Sequence, residues 1–420
     1  MKRYFLGLAS NYGRGGWVKH LFTIGRKKDC DRLVDYLGAR YGGKAVLCKN
    51  GRSALAMALK AYFKPGDKIL VNGFTCYAVY EAVISAGLKP VFVDISKEDL
   101  NFDIQTLRNV SSGRFGVIRD NDWAGPAAVS SPVKTSRGAP SDGVTRPGSS
   151  SRPKVNTIQD GLEPPETRAK IRGIIIQNTL GNPVDMEKIE KFAKKHDLMI
   201  VEDLAHSAGV KYPDGREAGT VGVATVLSFG KDKAIDTISG GAVIYRGESR
   251  AKTIPFRSPR ASDHLRARFY PMFGAMCRGL TGVHLGGALM RFLVAIHFVE
   301  KSADSKLDVE RKISKFQAKL ALKQMEELRN RPIRGFCLVD DRKKVLKELR
   351  KAGYYFSGFW YEKPVSPERY YKKVHFPESE CPNAVFVSEH IINLPNYYSK
   401  AELLPAKKII VKHLIRGGSK

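Results

Sequence analysis

Residues 227–243 read LSFGKDKAIDTISGGAV, and what flanks the loop within this stretch decides the fold. The apolar run that leads in, ATVLSFG (224–230), has the length and composition of a buried strand. GGAVIYR (240–246) reads as the strand that closes the region. Between them, a short polar loop carries two lysines, Lys231 and Lys233. Lysines in loops are ordinarily solvated charges. One that acts as a covalent nucleophile needs a fixed position and easy loss of its proton. Composition does not choose between the two.

Outward from this stretch, the same alternation of apolar runs and helical patterns continues. Residues 51–63 (GRSALAMALKAYF) have helical apolar spacing, PGDK punctuates, and ILVNG reads as a short buried strand. Residues 75–87 form a second helical pattern, followed by the strand KPVFVDI. GIIIQN (173–178) is a further buried strand. DMEKIEKFAKKHD (185–197) places Met186, Ile189 and Phe192 on one helical face, and LMIVED (198–203) is a strand ending in acid. Apolar strands separated by helices predict an α/β fold, with a mainly parallel sheet between helices.

The expected organisation is a large domain at 1–250, an apolar and basic helical insertion at 251–305, and a small C-terminal α/β domain at 306–420. Residues 112–165 break the pattern. They are rich in Ser, Pro, Gly and Arg and poor in apolar residues, and read as a disordered insertion or long exposed loop. Residues 306–329 form one long helical pattern, and DDRKKVLKELRKAG (340–353) another.

The apolar stretch PMFGAMCRGLTGVHLGGALMRFLVAIHFV is interrupted by Arg278, His284 and Arg291, so it lacks the run of about 20 apolar residues that a spanning helix needs. Helices packed on the core or at a subunit interface are one reading. A peripheral membrane contact through 265–300 is the sharper one.

With 71 Lys+Arg against 42 Asp+Glu, the formal charge of the 420-residue chain is +29, which favours anionic partners. The six cysteines are scattered without CxxC or metal-ligand spacing, so neither a disulfide framework nor a metal site is expected, and the pattern suits a cytoplasmic protein. The apolar part of the N-terminus is too brief for a signal peptide. No helix-turn-helix, zinc-finger or aromatic-basic pattern is present, so specific nucleic-acid binding is not expected.

Two other segments fall where an α/β sheet presents ligands. Asn50, Gly51, Arg52 and Ser53 open a helix, whose free N–H groups suit a phosphate, although ordinary capping explains the same residues. Asp203 and His206 follow a strand end. An acid there either caps the next element or faces a protonated pyridine nitrogen, making that ring an electron sink. Ser228 adds a hydroxyl to a phosphate site.

Taken together, these segments resemble the DegT/DnrJ/EryC1/StrS family of sugar aminotransferases, which belong to the fold-type I pyridoxal-phosphate (PLP) enzymes. NGRSAL is similar to the family's Ser-Gly-Thr-x-Ala-Leu element, VEDLAHSAG to its Glu-Asp-x-Ala-His/Gln element, and LSFGKDKAIDTISGGAV to Ser-Phe-x-x-x-Lys followed by Gly-Gly. The family lysine lies five residues after the serine and seven before the first glycine, and Lys233 satisfies both spacings. The resemblance implies that Lys233 carries the cofactor and moves a proton, that Asp203 keeps the pyridine nitrogen protonated, and that His206 sits by the ring. It assigns the phosphate to Ser228 and to the helix start at Gly51, Arg52 and Ser53.

The chain departs from the family pattern at three points. Arg52 stands at the phosphate-loop threonine. Cys76, followed by Tyr77, stands where an aromatic usually covers the ring. Glu310-Arg311-Lys312-Ile313-Ser314 replaces the Asn-x-Arg-Met-Ser segment, whose asparagine reaches a partner subunit's cofactor.

The implied activity is transfer of an amino group from an amino acid, usually glutamate, to a nucleotide-linked keto sugar for a surface glycan, by a homodimer. A catalytically silent regulator or scaffold of the same fold is a competing expectation. Another PLP reaction is a second; in the family's sugar dehydratases, however, histidine replaces the lysine.

Overall fold

A computed structural model describes residues 3–7, 10–12, 16–111, 170–247, 257–280, 285–296, 298–299, 305–356 and 360–415. The stretch expected as an insertion at 112–165 lies outside the described residues. All described residues belong to one compact unit.

In chain order the strands are β1 (Tyr4–Leu6), β2 (Lys44–Cys48), β3 (Lys68–Asn72), β4 (Thr75–Cys76), β5 (Lys89–Val93), β6 (Ile171–Ile176) and β7 (Met199–Asp203). They continue with β8 (Ala224–Ser228), β9 (Gly241–Tyr245), β10 (Arg334–Leu338), β11 (Tyr354–Phe356), β12 (Val365–Ser366) and β13 (Ile391–Pro395). The central sheet has seven strands in the order β2-β9-β8-β7-β6-β3-β5. The pairs from β8 to β5 are parallel, and β9 runs antiparallel between β8 and β2. The expected α/β architecture with a mainly parallel sheet is therefore the fold.

Before β8 the helices are α1 (Gly16–Phe22), which packs on the later helix Ala261–Leu280, and α2 (Lys27–Tyr41), α3 (Gly51–Tyr62), α4 (Tyr77–Ser85), α5 (Ile104–Ser111) and α6 (Met186–Lys195), which cover the sheet. After β9 come α7 (Ala261–Leu280), α8 (Leu285–Ala295), α9 (Lys315–Glu326) and α10 (Arg342–Lys351). One face of the sheet packs on α3 and α4, the other on α2, α6 and α9. On α6, Met186, Ile189 and Phe192 are the buried stripe that their spacing predicts, and Asp185 caps the helix by accepting from Lys188 N at 3.2 Å. A separate apolar cluster joins β10, β13, α10 and the helix Lys400–Val411.

The long helix expected over 306–329 is shorter in the structure. It starts at Lys315, because the Ser314 amide is satisfied by Gln317 Oε1 at 3.0 Å, as in a capping box. The preceding residues run past the start of α3 instead, with Asp308 N donating to Ser53 Oγ at 2.9 Å. In the apolar insertion, α7 and α8 pack through Ala267, Tyr270, Cys277 and Leu293 against Ile238 and Phe316. Among the described residues, no helix is long and apolar enough to cross a membrane.

Candidate active site

Close approach of three backbone segments shapes one end of the site. β8 ends at Ser228, β9 begins at Gly241, and the start of α3 bridges to Gly240 through Asn50. A Cβ on Gly51 would stand 2.6 Å from Ser228 Cβ, and one on Gly241 would stand 2.8 Å from Gly51 N, so both positions require glycine. The Asn50 side chain accepts from Ser53 N at 2.8 Å and fixes the first turn of α3. The amides of Gly51 and Arg52 thus lie beside the Ser228 hydroxyl at the positive end of a 12-residue helix, an arrangement suited to an anion.

The Arg52 guanidinium is already engaged: it ion-pairs with Glu81 and donates to the Ser305 carbonyl at 2.7 Å. Ser53 is fully buried, with its Oγ taken by Asp308 N. Tyr77 stacks on Tyr370 at 4.3 Å. Ser53 and Tyr77 stand outside the cavity lining, which the other candidates share.

That cavity, about 190 Å³, brings together Gly51, Arg52, Cys76, Asp203, His206, Ser228 and Lys233. Burial lowers the Lys233 amine to about 8, against the pull of Cys76 and Asp203 toward the charged form. Burial raises the Asp203 carboxyl, while the Ala205 amide, donating to Oδ1 at 2.9 Å, and Lys233 oppose the rise. Lys231 borders the same cavity, and its Nζ lies 4.1 Å from the centre of the Tyr270 ring on α7.

The state of His206 follows from its contacts. Leu180 N–H donates to Nδ1 at 3.1 Å, which leaves the ring proton on Nε2, facing the Tyr361 hydroxyl at 3.1 Å. Burial, with Lys233 and Arg334 nearby, holds its pKa well below the usual histidine value, so the ring is neutral.

A model of the DegT/DnrJ/EryC1/StrS aminotransferase family matches residues 27–127 and 152–409. The chain belongs to this family. It is 27% identical over 220 residues to a pleiotropic regulatory protein of Geobacillus stearothermophilus, covering 52% of this chain and 43% of that protein. To a GDP-perosamine synthase of Caulobacter vibrioides it is 24% identical over 243 residues, covering 58% of this chain and 49% of that protein. The chain thus spans somewhat under half the length of either relative. A solved DegT DnrJ EryC1 StrS aminotransferase from Brucella abortus matches with a TM-score of 0.58 at 18% identity, over 96% of this chain and 94% of that one. The shared fold is that of the fold-type I PLP enzymes.

In this DegT-family chain, four residues that sequence reasoning missed join the cavity or its edge, one of them Tyr361, whose hydroxyl meets His206 Nε2. Trp360 stacks on His206 at 4.8 Å with planes 6° apart, and Lys233 Nζ stands 4.3 Å from the centre of its ring. The Arg334 guanidinium covers Trp360 at 3.7 Å. Gln177, from the end of β6, lines the cavity and receives the Thr75 hydroxyl. The signal for Trp360 was the FWY cluster at 359–361, together with the absence of an aromatic at Cys76; the segment reads equally well as packing, which Tyr361 also provides against Phe74 at 5.3 Å.

Proposed function

We propose that this chain is a PLP-dependent aminotransferase that moves an amino group from an amino acid, glutamate in this reading, to a nucleotide-linked keto sugar for a surface glycan. The observation that carries the reading is that Lys233, Asp203, Ser228 and the start of α3 share one cavity. The cavity suits the cofactor: an anion cradle tight enough to exclude a Cβ lies at one end and a buried carboxylate at the other. Bound PLP supplies an electron sink for charge that develops on the donor carbon.

The chain's own residues do the rest. Ser228 and the Gly51 and Arg52 amides hold the phosphate. Asp203 keeps a positive charge on the ring nitrogen. Lys233, with its amine near 8, binds the cofactor and then takes and returns a proton at its Nζ. Trp360, stacked on His206 and covered by Arg334, closes the cavity beside Lys233.

The reading includes a homodimer, tested by light scattering, and a cytoplasmic enzyme whose segment 265–300 touches an anionic membrane surface.

The deciding experiment incubates the protein with PLP, glutamate and a panel of nucleotide-linked keto sugars. The expected result is an amino sugar and 2-oxoglutarate in equal amounts. A regulatory role, as the name of the Geobacillus relative suggests, has no need of Lys233 or Asp203. If the cofactor is fixed at Lys233 but no donor and acceptor pair turns over, that role replaces the proposal.

A further inference from the structure

The loop that carries Lys233 contains two non-glycine residues in the left-handed region, Asp232 at φ +61° and the β-branched Ile238 at φ +73°. Such conformations are unfavourable for residues with a Cβ, most of all β-branched ones, and persist only where the surroundings impose them. Here a single buried side chain meets both: the Asp236 carboxylate accepts from Asp232 N at 2.8 Å and from Ile238 N at 2.9 Å. Two donors from the beginning of the chain complete its shell, Asn11 Nδ2 at 2.6 Å and the Tyr12 hydroxyl, whose one proton is shared between Oδ1 at 3.1 Å and the Asp236 carbonyl at 3.0 Å. The backbone of Asp236 is clamped as well, its N–H donating to Gln324 Oε1 at 2.7 Å and its carbonyl accepting from Gln324 Nε2 at 2.9 Å.

We propose that Asp236 is a positioning residue for Lys233: held by Asn11 and Tyr12, its carboxylate imposes the loop conformation that aims the lysine into the cavity. The proposal rests on the reading of Lys233 as the cofactor lysine.

Burial and the neighbouring Asp232 raise the Asp236 carboxyl to about 6, against the donors from Asn11, Ile238 and Asp232. The groups around it are Asp232 in its own loop, Tyr12 from the N-terminal segment, Tyr270 from α7, Gln324 from α9, and Arg334 from β10, whose Nη2 lies 3.8 Å from Asp232 Oδ2. The Asp236 carboxyl changes charge as pH passes through about 6. Below that value one carboxyl oxygen becomes a donor and one of the strained amides loses its acceptor.

The test uses the full-length protein with added PLP. Borohydride fixes cofactor attached to lysine, and peptide mass spectrometry measures the amount on Lys233 between pH 5 and 9. Wild type is expected to lose fixation in an additional step as pH falls through about 6. Asp236→Asn, with one permanent acceptor, is expected to fix about tenfold more slowly at pH 8 and to lack that step at temperatures well below its own melting transition, where the chain remains folded. Tyr12→Phe keeps the ring against His20, removes one donor, and is expected to shift fixation in the same direction by a smaller factor.

Wild-type-like fixation in both variants would overturn the proposal, as would a loss of fixation that only tracks a fall in melting temperature. If wild type fixes no cofactor at Lys233 at any pH, the functional reading fails instead, so the two failures are distinguishable.

Discussion

At the scale of single residues, chemistry is divided between neighbours of the same type. Lys231 and Lys233 both border the cavity, but Lys231 is drawn toward Tyr270, while Lys233 stands over Trp360 with a depressed amine. Lys233→Ala should therefore abolish the PLP-derived absorbance and all transamination, and Lys231→Ala should keep both. The reverse outcome in a spectroscopic titration would move the assignment to Lys231. The pH dependence has a definite sign. Attachment needs the neutral amine, so its rate should fall about tenfold for each pH unit below about 8 and level off above it, as measured by stopped-flow mixing with PLP. Glu202 and Asp203 divide in the same way, because adjacent strand residues point to opposite faces. Glu202 is fully buried and accepts from Tyr212 Oη, Gly219 N, Val221 N and Gly222 N, with Arg246 alongside. Glu202→Gln should lower stability by about 3 kcal/mol in denaturant unfolding. Asp203→Asn should leave unfolding nearly unchanged and remove activity.

Elements differ in how openly the sequence declares them. Buried parallel strands such as β3, β6 and β7 are apolar runs because both faces are covered, so their order along the chain is legible in the residues alone. The start of α3 and the Gly240-Gly241 pair are legible as motifs, since their residue types are dictated by a close contact. That contact can be tested: Gly51→Ala places a methyl group 2.6 Å from Ser228 Cβ. It should weaken PLP binding at least about tenfold by fluorescence titration and cost about 1–3 kcal/mol in stability. Other features depend on which distant elements meet, and local pattern does not encode that. Trp360 and Tyr361 reach His206 from far along the chain. Residues 305–313 have helical composition, yet their polar groups are taken by Asn50, Arg52 and Ser53, and they form an irregular segment with a turn instead of a helix. Asp236 reads as one more polar loop residue, because the four donors that give it a role come from two separate parts of the chain.

Over the whole molecule, the +29 charge is unevenly matched with apolar surface. Residues 264–299 contain four arginines and no acidic residue. Within them α7 turns Ala267, Tyr270, Gly274 and Cys277 inward, which leaves Leu265 and Met276 on the outer side at 48% and 45% exposure. Along α8 and just past its end, Leu285, Phe292 and Ile296 fall on one exposed stripe at spacings of seven and four residues, with Arg291 exposed beside them. Of the four arginines, Arg291 is exposed, whereas Arg266 pairs with Asp263 at 3.8 Å and Arg268 donates to the carbonyls of Leu21 and Thr23. An anionic headgroup layer offers Arg291 countercharge and gives the apolar stripe an interface to enter. The full-length protein should therefore sediment with phosphatidylglycerol vesicles and not with phosphatidylcholine vesicles, and should be released as salt rises. Leu285→Asp with Phe292→Asp should cut vesicle binding by at least about tenfold, because exposed positions lose apolar area without disturbing the inward face. Light scattering on the same variant separates the alternatives. An unchanged mass with lost sedimentation supports the membrane contact. A fall to monomer, or undiminished sedimentation, would make this face a subunit interface or leave it without a membrane role, because the same two side chains cannot be buried in a partner and in a bilayer at once.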